Sequence, residues 1–332
     1  GFAPLPDGAQ GDPLTGPALP GGTAWRSDML APGVYVLREG VYQVLVIEGS
    51  RYRGRDCALV LDAPETWAGN DLVEAIKTVT DHEVCTFVYS HAHLDHVGNA
   101  HRIKAEWPCA RFIGHKETAR HIRDRLDKSD TRRPLPTRTF EKRYKGSVGH
   151  RGPTFYLHYN GNGHMPGNIL FYFPSARVVF YVDTVWPKWV PFDFYGLGNF
   201  VPGLQRDFDF LLGGTFNFEY FLGGHFGIGT RDDVVQAREY LTDCLAFAGQ
   251  GLFSVFQQNG GEVFGRLSQD SGVGDPTATN FGNSFLLFHA AFVEVQDVCE
   301  PLLRDKYLGV LAAADVFARS NCYACMQTLR LE

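Results

Sequence analysis

The chain has 332 residues, 44% hydrophobic and 20% charged, an ordinary globular composition at a length that α/β folds often use as one unit. Its net charge is −6, from 31 basic and 37 acidic residues, and no Lys/Arg run exceeds two, which speaks against a nucleic-acid partner. No apolar stretch approaches the roughly 20 residues needed to cross a bilayer, so no membrane partner is expected.

Residues 1–24 are rich in Gly, Pro and Ala and read as an irregular arm, followed by a single domain over 25–332 with a helical C-terminal extension. The first residue is Gly1, so the expectation is that the original amino terminus was removed by processing or cloning. A signal peptide is compatible with that, which leaves a cytoplasmic and an exported location both open. Residues 34–46 alternate apolar and polar side chains around Gly40 and predict a hairpin. A buried strand over 57–62 ends at Asp62, and Leu72, Val73, Ile76 and Val79 give helical spacing over 70–80. A strand over 86–90 follows, then helices near 97–106 and 116–127. Strands recur at 111–114, 154–159, 169–173 and 178–182. Helical patterns return at 231–247, 284–300 and 310–326.

There are seven cysteines, an odd number. Cys57 and Cys85 lie in or beside apolar runs and read as small buried hydrophobes. Cys322-Tyr323-Ala324-Cys325 has CxxC spacing without a second pair, which argues against a zinc ribbon; in a helix the two read as packed thiols.

The stretch 89–99, Tyr-Ser-His-Ala-His-Leu-Asp-His-Val-Gly-Asn, directly follows the apolar strand. His91 and His93 are two apart, so on an extended segment they leave one face. Asp95 and His96 follow where the chain would turn into a helix. Imidazole and carboxylate are ligands that zinc and similar ions prefer. Four such groups cannot all hold one ion and leave an open position, so two adjacent metals are the natural reading. Downstream, His164 sits in a Gly/Pro-rich turn, Asp183 ends the apolar run 178–182, and His225 lies in the loop Gly-Gly-His-Phe-Gly. Each is a metal-capable side chain at a strand-like end, where loops carry function.

This order of motifs, from about residue 33 to about 230, resembles the metallo-β-lactamase superfamily of hydrolases. The resemblance implies a four-layer αββα sandwich of the α/β class. It assigns His91, His93 and His164 to one metal and Asp95, His96 and His225 to a second, with Asp183 bridging, and so implies two Zn²⁺ or other divalent transition ions per chain. A bridging Asp is similar to the lactonase and glyoxalase II branches, whereas classical β-lactamases usually carry Cys or Ser near that place. The implied chemistry is attack by a metal-bridging hydroxide on a carbonyl, with Asp95 as ligand and orienting catalytic group. No Ser-His-Asp or GxSxG arrangement competes as nucleophile.

The segment 185–222 is dense in aromatics and broken by Pro and Gly. Trp186, Trp189, Phe192 and Phe194 are candidates for a substrate wall, with core packing as the plain alternative. The expected function is a dinuclear zinc lactonase or esterase acting on a small molecule with an apolar part. A β-lactamase, a glyoxalase II-like thioesterase and a metal-binding redox module are the alternatives. Homo-oligomerisation is left open.

Overall fold

The computed structural model describes residues 2–331 apart from Asp12, Gly198 and Asn199, with Leu197 described by its backbone only. The chain divides into two compact units. One comprises Gln10–Pro187 and Gly203–Val235; the other comprises Gly1–Ala9, Lys188–Pro202 and Gln236–Glu332.

The first of these units is built on two sheets. One holds β1 (Arg26–Ala31), β2 (Val34–Glu39), β3 (Tyr42–Tyr52), β4 (Arg55–Leu61), β5 (Glu83–Val88), β6 (Arg111–His115) and β7 (Arg138–Phe140), side by side in chain order. Strands β1 to β4 pair antiparallel, and β4 to β7 pair parallel. The parallel strands are joined by α1 (Asp71–Val79), by α2 (Leu94–Val97) with α3 (Ala100–Glu106), and by α4 (Lys116–Asp124). Both faces of these strands are covered, which is why 57–61 reads as an unbroken apolar run. The other sheet has the order β12-β11-β10-β9-β8, from β8 (Arg143–Ser147), β9 (Thr154–His158), β10 (Leu170–Phe173), β11 (Val178–Phe180) and β12 (Tyr220–Leu222).

Two cores hold this unit together. Val36, Leu45, Ile47, Leu59, Leu61 and Val88 of the first sheet pack against Leu157, Phe171, Phe173, Val178 and Phe180 of the second. The opposite face of the first sheet buries Val46, Val60, Phe87 and Phe112 under Leu72 and Ile76 of α1, Ile103 of α3 and Ile122 of α4. On the outer face of the second sheet, His158 and Tyr172 meet Phe210 and Phe216, from and just after a helix between β11 and β12. Each fully buried aliphatic or aromatic side chain contributes about 1.5–3 kcal/mol. The four-layer αββα arrangement expected from the resemblance is the one observed.

Trp25 donates from its indole back to the Pro17 carbonyl at 2.9 Å. The Gly21 and Thr23 amides donate to Asp71 at 2.7 and 2.9 Å. Gly21 and Thr23 are therefore tied to the start of α1.

Cys57 and Cys85 are not independent packed thiols, as their sequence setting suggested: they form a disulfide with Cα atoms 5.3 Å apart. The ladder between β4 and β5 slips between Ala58 and Leu59, so that Cys85 is the extra residue of a bulge and reaches Cys57 on the neighbouring strand. Strand periodicity carries no signal for such a slip.

The other unit is helical. It contains the left-handed turn α5 (Asp193–Leu197), the start of α6 (Val201–Leu212), most of α7 (Arg231–Leu252), α8 (Gly260–Ser271), α9 (Ser284–Tyr307) and α10 (Ala314–Leu331). A π-helical stretch over Phe253–Gln258 links α7 to α8. Among the described residues no helix is long and apolar enough to cross a membrane.

Candidate metal centre

The β5 strand ends at Val88 and delivers His91 and His93 from extended backbone; α2 then starts and presents Asp95 and His96. His164 comes from the loop between β9 and β10, Asp183 from the loop after β11, and His225 from the loop after β12. All seven thus stand at or after the ends of strands, and the fold brings them into two groups. His91, His93, His164 and Asp183 form one, and Asp95, His96 and His225 the other; within each, the ligand atoms lie within 4.8 Å of one another.

Asp183 lies between the groups. Its Oδ2 is 3.2 Å from His164 Nε2, 3.3 Å from His96 Nε2 and 3.6 Å from His91 Nε2, while its Oδ1 is 2.9 Å from His225 Nε2. His164 Nε2 faces His93 Nδ1 at 3.1 Å, and His96 Nε2 faces His225 Nε2 at 3.1 Å. Asp95 Oδ2 is 3.4 Å from His96 Nε2, and the Asp95 side chain is 39% exposed. His91 and His96 are fully buried.

Backbone strain marks the same place. Asp183 (φ 56°), Asp62 (φ 68°) and Phe226 (φ 58°) adopt left-handed conformations. Such residues cost of order 1–3 kcal/mol each and persist where surrounding structure holds them. Close packing also demands small residues. A Cβ on Gly163 would come within 2.2 Å of Asp207 Oδ2, and one on Gly224 within 3.1 Å of His96 Cε1.

The supporting residues were not legible in the sequence as site residues. Asp62 Oδ1 accepts from the Ser90 amide at 2.9 Å, and its Oδ2 is 3.9 Å from His96 Nδ1. Ser90 Oγ meets His91 Nδ1 at 2.9 Å, leaving Nε2 for the centre. Gln43, fully buried on β3, donates from its amide to the Phe226 and Gly227 carbonyls and accepts from the Gly224 amide at 3.1 Å. It therefore clamps the loop that carries His225. Arg133 donates to the Ala92 carbonyl between His91 and His93 at 2.6 Å. The Tyr42 hydroxyl donates to Asp95 Oδ2 at 3.3 Å, and its ring packs on His225 with centroids 4.8 Å apart. The only sequence signals were a strand ending in Asp62 and an apolar-polar alternation that places Gln43 on one face.

Burial and neighbouring imidazoles push His91 well below its ordinary value, and burial pushes His164 down to about 4. These are neutral imidazoles, the form that ligates metal. Burial also opposes a charge on His96, but the carboxylates of Asp183, Asp95 and Asp62 outweigh it and hold His96 up to about 9. Asp183 lies well below the carboxylate range: burial opposes its charge, and His96, His164 and His225 overcome it. Asp62 is raised by burial to about 7 against the pull of His96.

The candidate wall residues separate. Trp186 is buried in the unit that holds the centre. Trp189, Phe192 and Phe194 belong to the helical unit. There Phe192 meets Phe317 and Phe194 meets Tyr323, with ring centroids 5.1 and 5.9 Å apart. Trp189 pairs as a backbone bridge with Ala312.

The family model described as the metallo-beta-lactamase superfamily matches residues 41–210. A curated relative, the 2,4-dinitroanisole O-demethylase subunit alpha of Nocardioides sp. (strain JS1661), is 28% identical over 203 residues, 53% of this chain and 58% of that one. The chain thus matches little more than half the length of that relative. Among solved structures, a double mutant of the sec-alkyl sulfatase PisA1 superposes with TM-score 0.54 at 15% identity, over 68% of this chain and 43% of that one. The DIM-1 metallo-beta-lactamase exposed to ceftazidime gives TM-score 0.52 at 14% identity, over 66% of this chain and 96% of that one. A metallo-beta-lactamase from Pontibacter korlensis gives 0.51 at 15% identity, over 66% and 99%.

Proposed function

The chain belongs to the metallo-β-lactamase superfamily of metal-dependent hydrolases, and from that premise we propose that it opens a lactone or related ester with an apolar part, using two divalent ions, zinc first among them. The observation that supports two ions is the place of Asp183, whose carboxylate faces both groups: His91 and His164 of one, and His96 and His225 of the other. The donor set fits such ions. His91 Nε2 is buried without a hydrogen-bond partner, and two pairs of imidazole nitrogens face each other at 3.1 Å where a cation could sit.

His91, His93 and His164 would hold one ion, Asp95, His96 and His225 the other, and Asp183 would touch both. Ions bound there would make a water acidic near neutral pH and polarise the scissile carbonyl. The protein's own part is positional. Asp95, with its side chain 39% exposed, can accept a proton from water and pass one to the leaving oxygen. Tyr42 donates to Asp95 Oδ2 and limits its rotation. Asp62 and Ser90 orient His96 and His91 from behind. Trp186, Trp189, Phe192 and Phe194 are proposed as the apolar wall.

A second reading is favoured by the curated relative, whose name describes O-demethylation. The same His/Asp set would serve displacement of a methoxy group from an electron-poor aromatic ring. A panel decides between them: a lactone with a hydrophobic tail, a chromogenic cephalosporin, a glutathione thioester and a nitroaryl methyl ether. We expect lactone turnover that is lost on chelation and restored by Zn²⁺. Turnover of only the ether, the cephalosporin or the thioester would replace the lactonase assignment. Iron as the dominant bound metal, without hydrolysis of any of the four, would point to a redox module.

A further inference from the structure

Four of the chain's cysteines converge in the core of the helical unit. Cys244 comes from α7, Cys299 from α9, and Cys322 and Cys325 from α10; all four are fully buried. The sulfurs of Cys244, Cys299 and Cys322 lie within 4.8 Å of one another. Cys325 stands one turn along α10 from Cys322, and Cys244 is its neighbour. Cys299 and Cys322 are joined, with Cα atoms 6.0 Å apart, while Cys244 and Cys325 are thiols. The CxxC pair, which has no companion in the linear sequence, acquires one through the fold.

A phenol points into the same place. Tyr195 is 1% exposed, its hydroxyl has no hydrogen-bond partner of good geometry, and the Cys244 and Cys325 sulfurs are its first polar neighbours. It reaches them from a left-handed run, Phe194 to Gly196, and its amide donates to Asn321 Oδ1 at 2.9 Å. Asn321, next to Cys322 and fully buried, also donates to Tyr240 Oη at 3.2 Å and to the Pro191 carbonyl at 3.1 Å. The turn is thus fixed beside the sulfurs.

Packing of small apolar thiols accounts for Cys244 or Cys325 singly. It does not account for a buried phenol whose first polar neighbours are two thiols, because sulfur of a thiol is a weak acceptor and a poorly satisfied buried O–H costs about 1–3 kcal/mol. A thiolate is the acceptor that would satisfy it.

We propose that in the reduced protein Cys244, Cys299, Cys322 and Cys325 form a second metal site, a buried tetrathiolate for one soft divalent ion of the zinc class. Thiolates select such ions, and a Zn–S bond of about 2.3 Å places tetrahedral sulfurs ~3.8 Å apart, within the 4.8 Å spread of Cys244, Cys299 and Cys322; Cys325, one turn along α10 from Cys322, would supply the fourth sulfur. Two steps balance the chemistry. A dithiol reductant opens Cys299–Cys322, giving two thiols and the oxidised reductant. The ion then replaces four protons, one from each sulfur. Tyr195 donates its O–H to a coordinated sulfur, as outer-shell donors do at metal sites. The Cys299–Cys322 disulfide is the metal-free, oxidised form of the same cluster.

Cobalt(II) tests this on the full chain. The histidine and carboxylate centre has no sulfur ligand among the described residues, so a sulfur-to-cobalt charge-transfer band reports the cysteine site alone. After reduction, and removal of reductant under argon, one equivalent of Co²⁺ should develop that band with intense tetrahedral visible absorption. Both should be lost in Cys244→Ser and in Cys325→Ser, and kept in Asp183→Ala. The wild-type chain gives a second readout that no folding defect can confuse. Zn²⁺ should protect these four residues, and not the exposed Cys109, from alkylation followed by mass spectrometry. Absence of the band together with equal alkylation of all four with and without Zn²⁺ overturns the proposal. So does a Cys299–Cys322 bond that resists dithiol until the chain unfolds, or a Cys244–Cys325 disulfide formed in preference to metal uptake.

Discussion

At the scale of single residues, Asp183 and Asp95 are both carboxylates beside His96, but the fold gives them different settings. Asp183 is 7% exposed and surrounded by imidazoles; Asp95 is 39% exposed. Asp183→Ala should therefore remove metal as well as activity, read by elemental analysis after desalting. A variant that keeps two tightly bound ions would rule out bridging. Asp95→Asn keeps an oxygen ligand but cannot accept a proton. We expect kcat to fall 10²–10⁴-fold, the usual worth of a positioned acid–base group, with most metal retained. Near wild-type kcat would assign Asp95 a purely structural role. The seven ligand types were legible because metal chemistry restricts the residues that can serve. Asp62, Gln43 and Tyr42 were not, because an orienting hydrogen bond can come from almost any polar side chain, and only folded geometry selects one.

At the scale of elements, the site depends on loops held from outside it. Asp207 of α6 is an example. It accepts from Asn160 Nδ2 at 3.0 Å and packs against Gly163, next to His164. Burial raises its carboxyl from 3.8 to about 6. A raised folded-state value means that the stability tied to Asp207 is full below the unfolded-state value and is lost as pH climbs through about 6. The loss is of order 3 kcal/mol at neutral pH, from about two units at 1.36 kcal/mol each. Asp207→Asn carries no charge and should not suffer it. Thermal melts should therefore show the variant gaining on wild type between acid and neutral pH. A constant gap across that range would mean that Asp207 is not forced to ionise in a buried setting.

The elements most legible from sequence were those with strong periodicity: the β2–β3 hairpin, β5, and the amphipathic α1. Strands β1 and β8 are not legible in the sequence because Arg26–Ala31 and Arg143–Ser147 have no fully buried residue and carry no apolar alternation. They are strands because neighbouring strands offer hydrogen bonds. The helix α8 was missed for a similar reason, since Leu267 is its one buried residue.

At the scale of the whole molecule, the question is whether the helical unit takes part in choosing the substrate. Trp189 tests it. If the wall reading holds, Trp189→Ala removes an apolar contact worth about 1.5–3 kcal/mol. KM for a hydrophobic lactone should then rise roughly tenfold or more, at 1.4 kcal/mol per tenfold, with metal content unchanged and a small polar lactone little affected. Equal losses on both substrates, or a lowered Tm alone, would make Trp189 a packing residue of its own unit.

The sequence by itself determined the fold class, the family resemblance and the identity of the seven candidate ligands. Metal-binding side chains are few in kind, and their spacing at strand ends survives in one dimension. Tertiary structure alone decided the rest. It set the left-handed turn of Asp183 that aims its two oxygens to different neighbours, and the bulge that joins Cys57 to Cys85. It also brought Cys244 and Cys299 to the CxxC pair of α10. These depend on contacts between residues far apart in the chain. No local periodicity encodes such contacts; they follow from which apolar faces bury against each other.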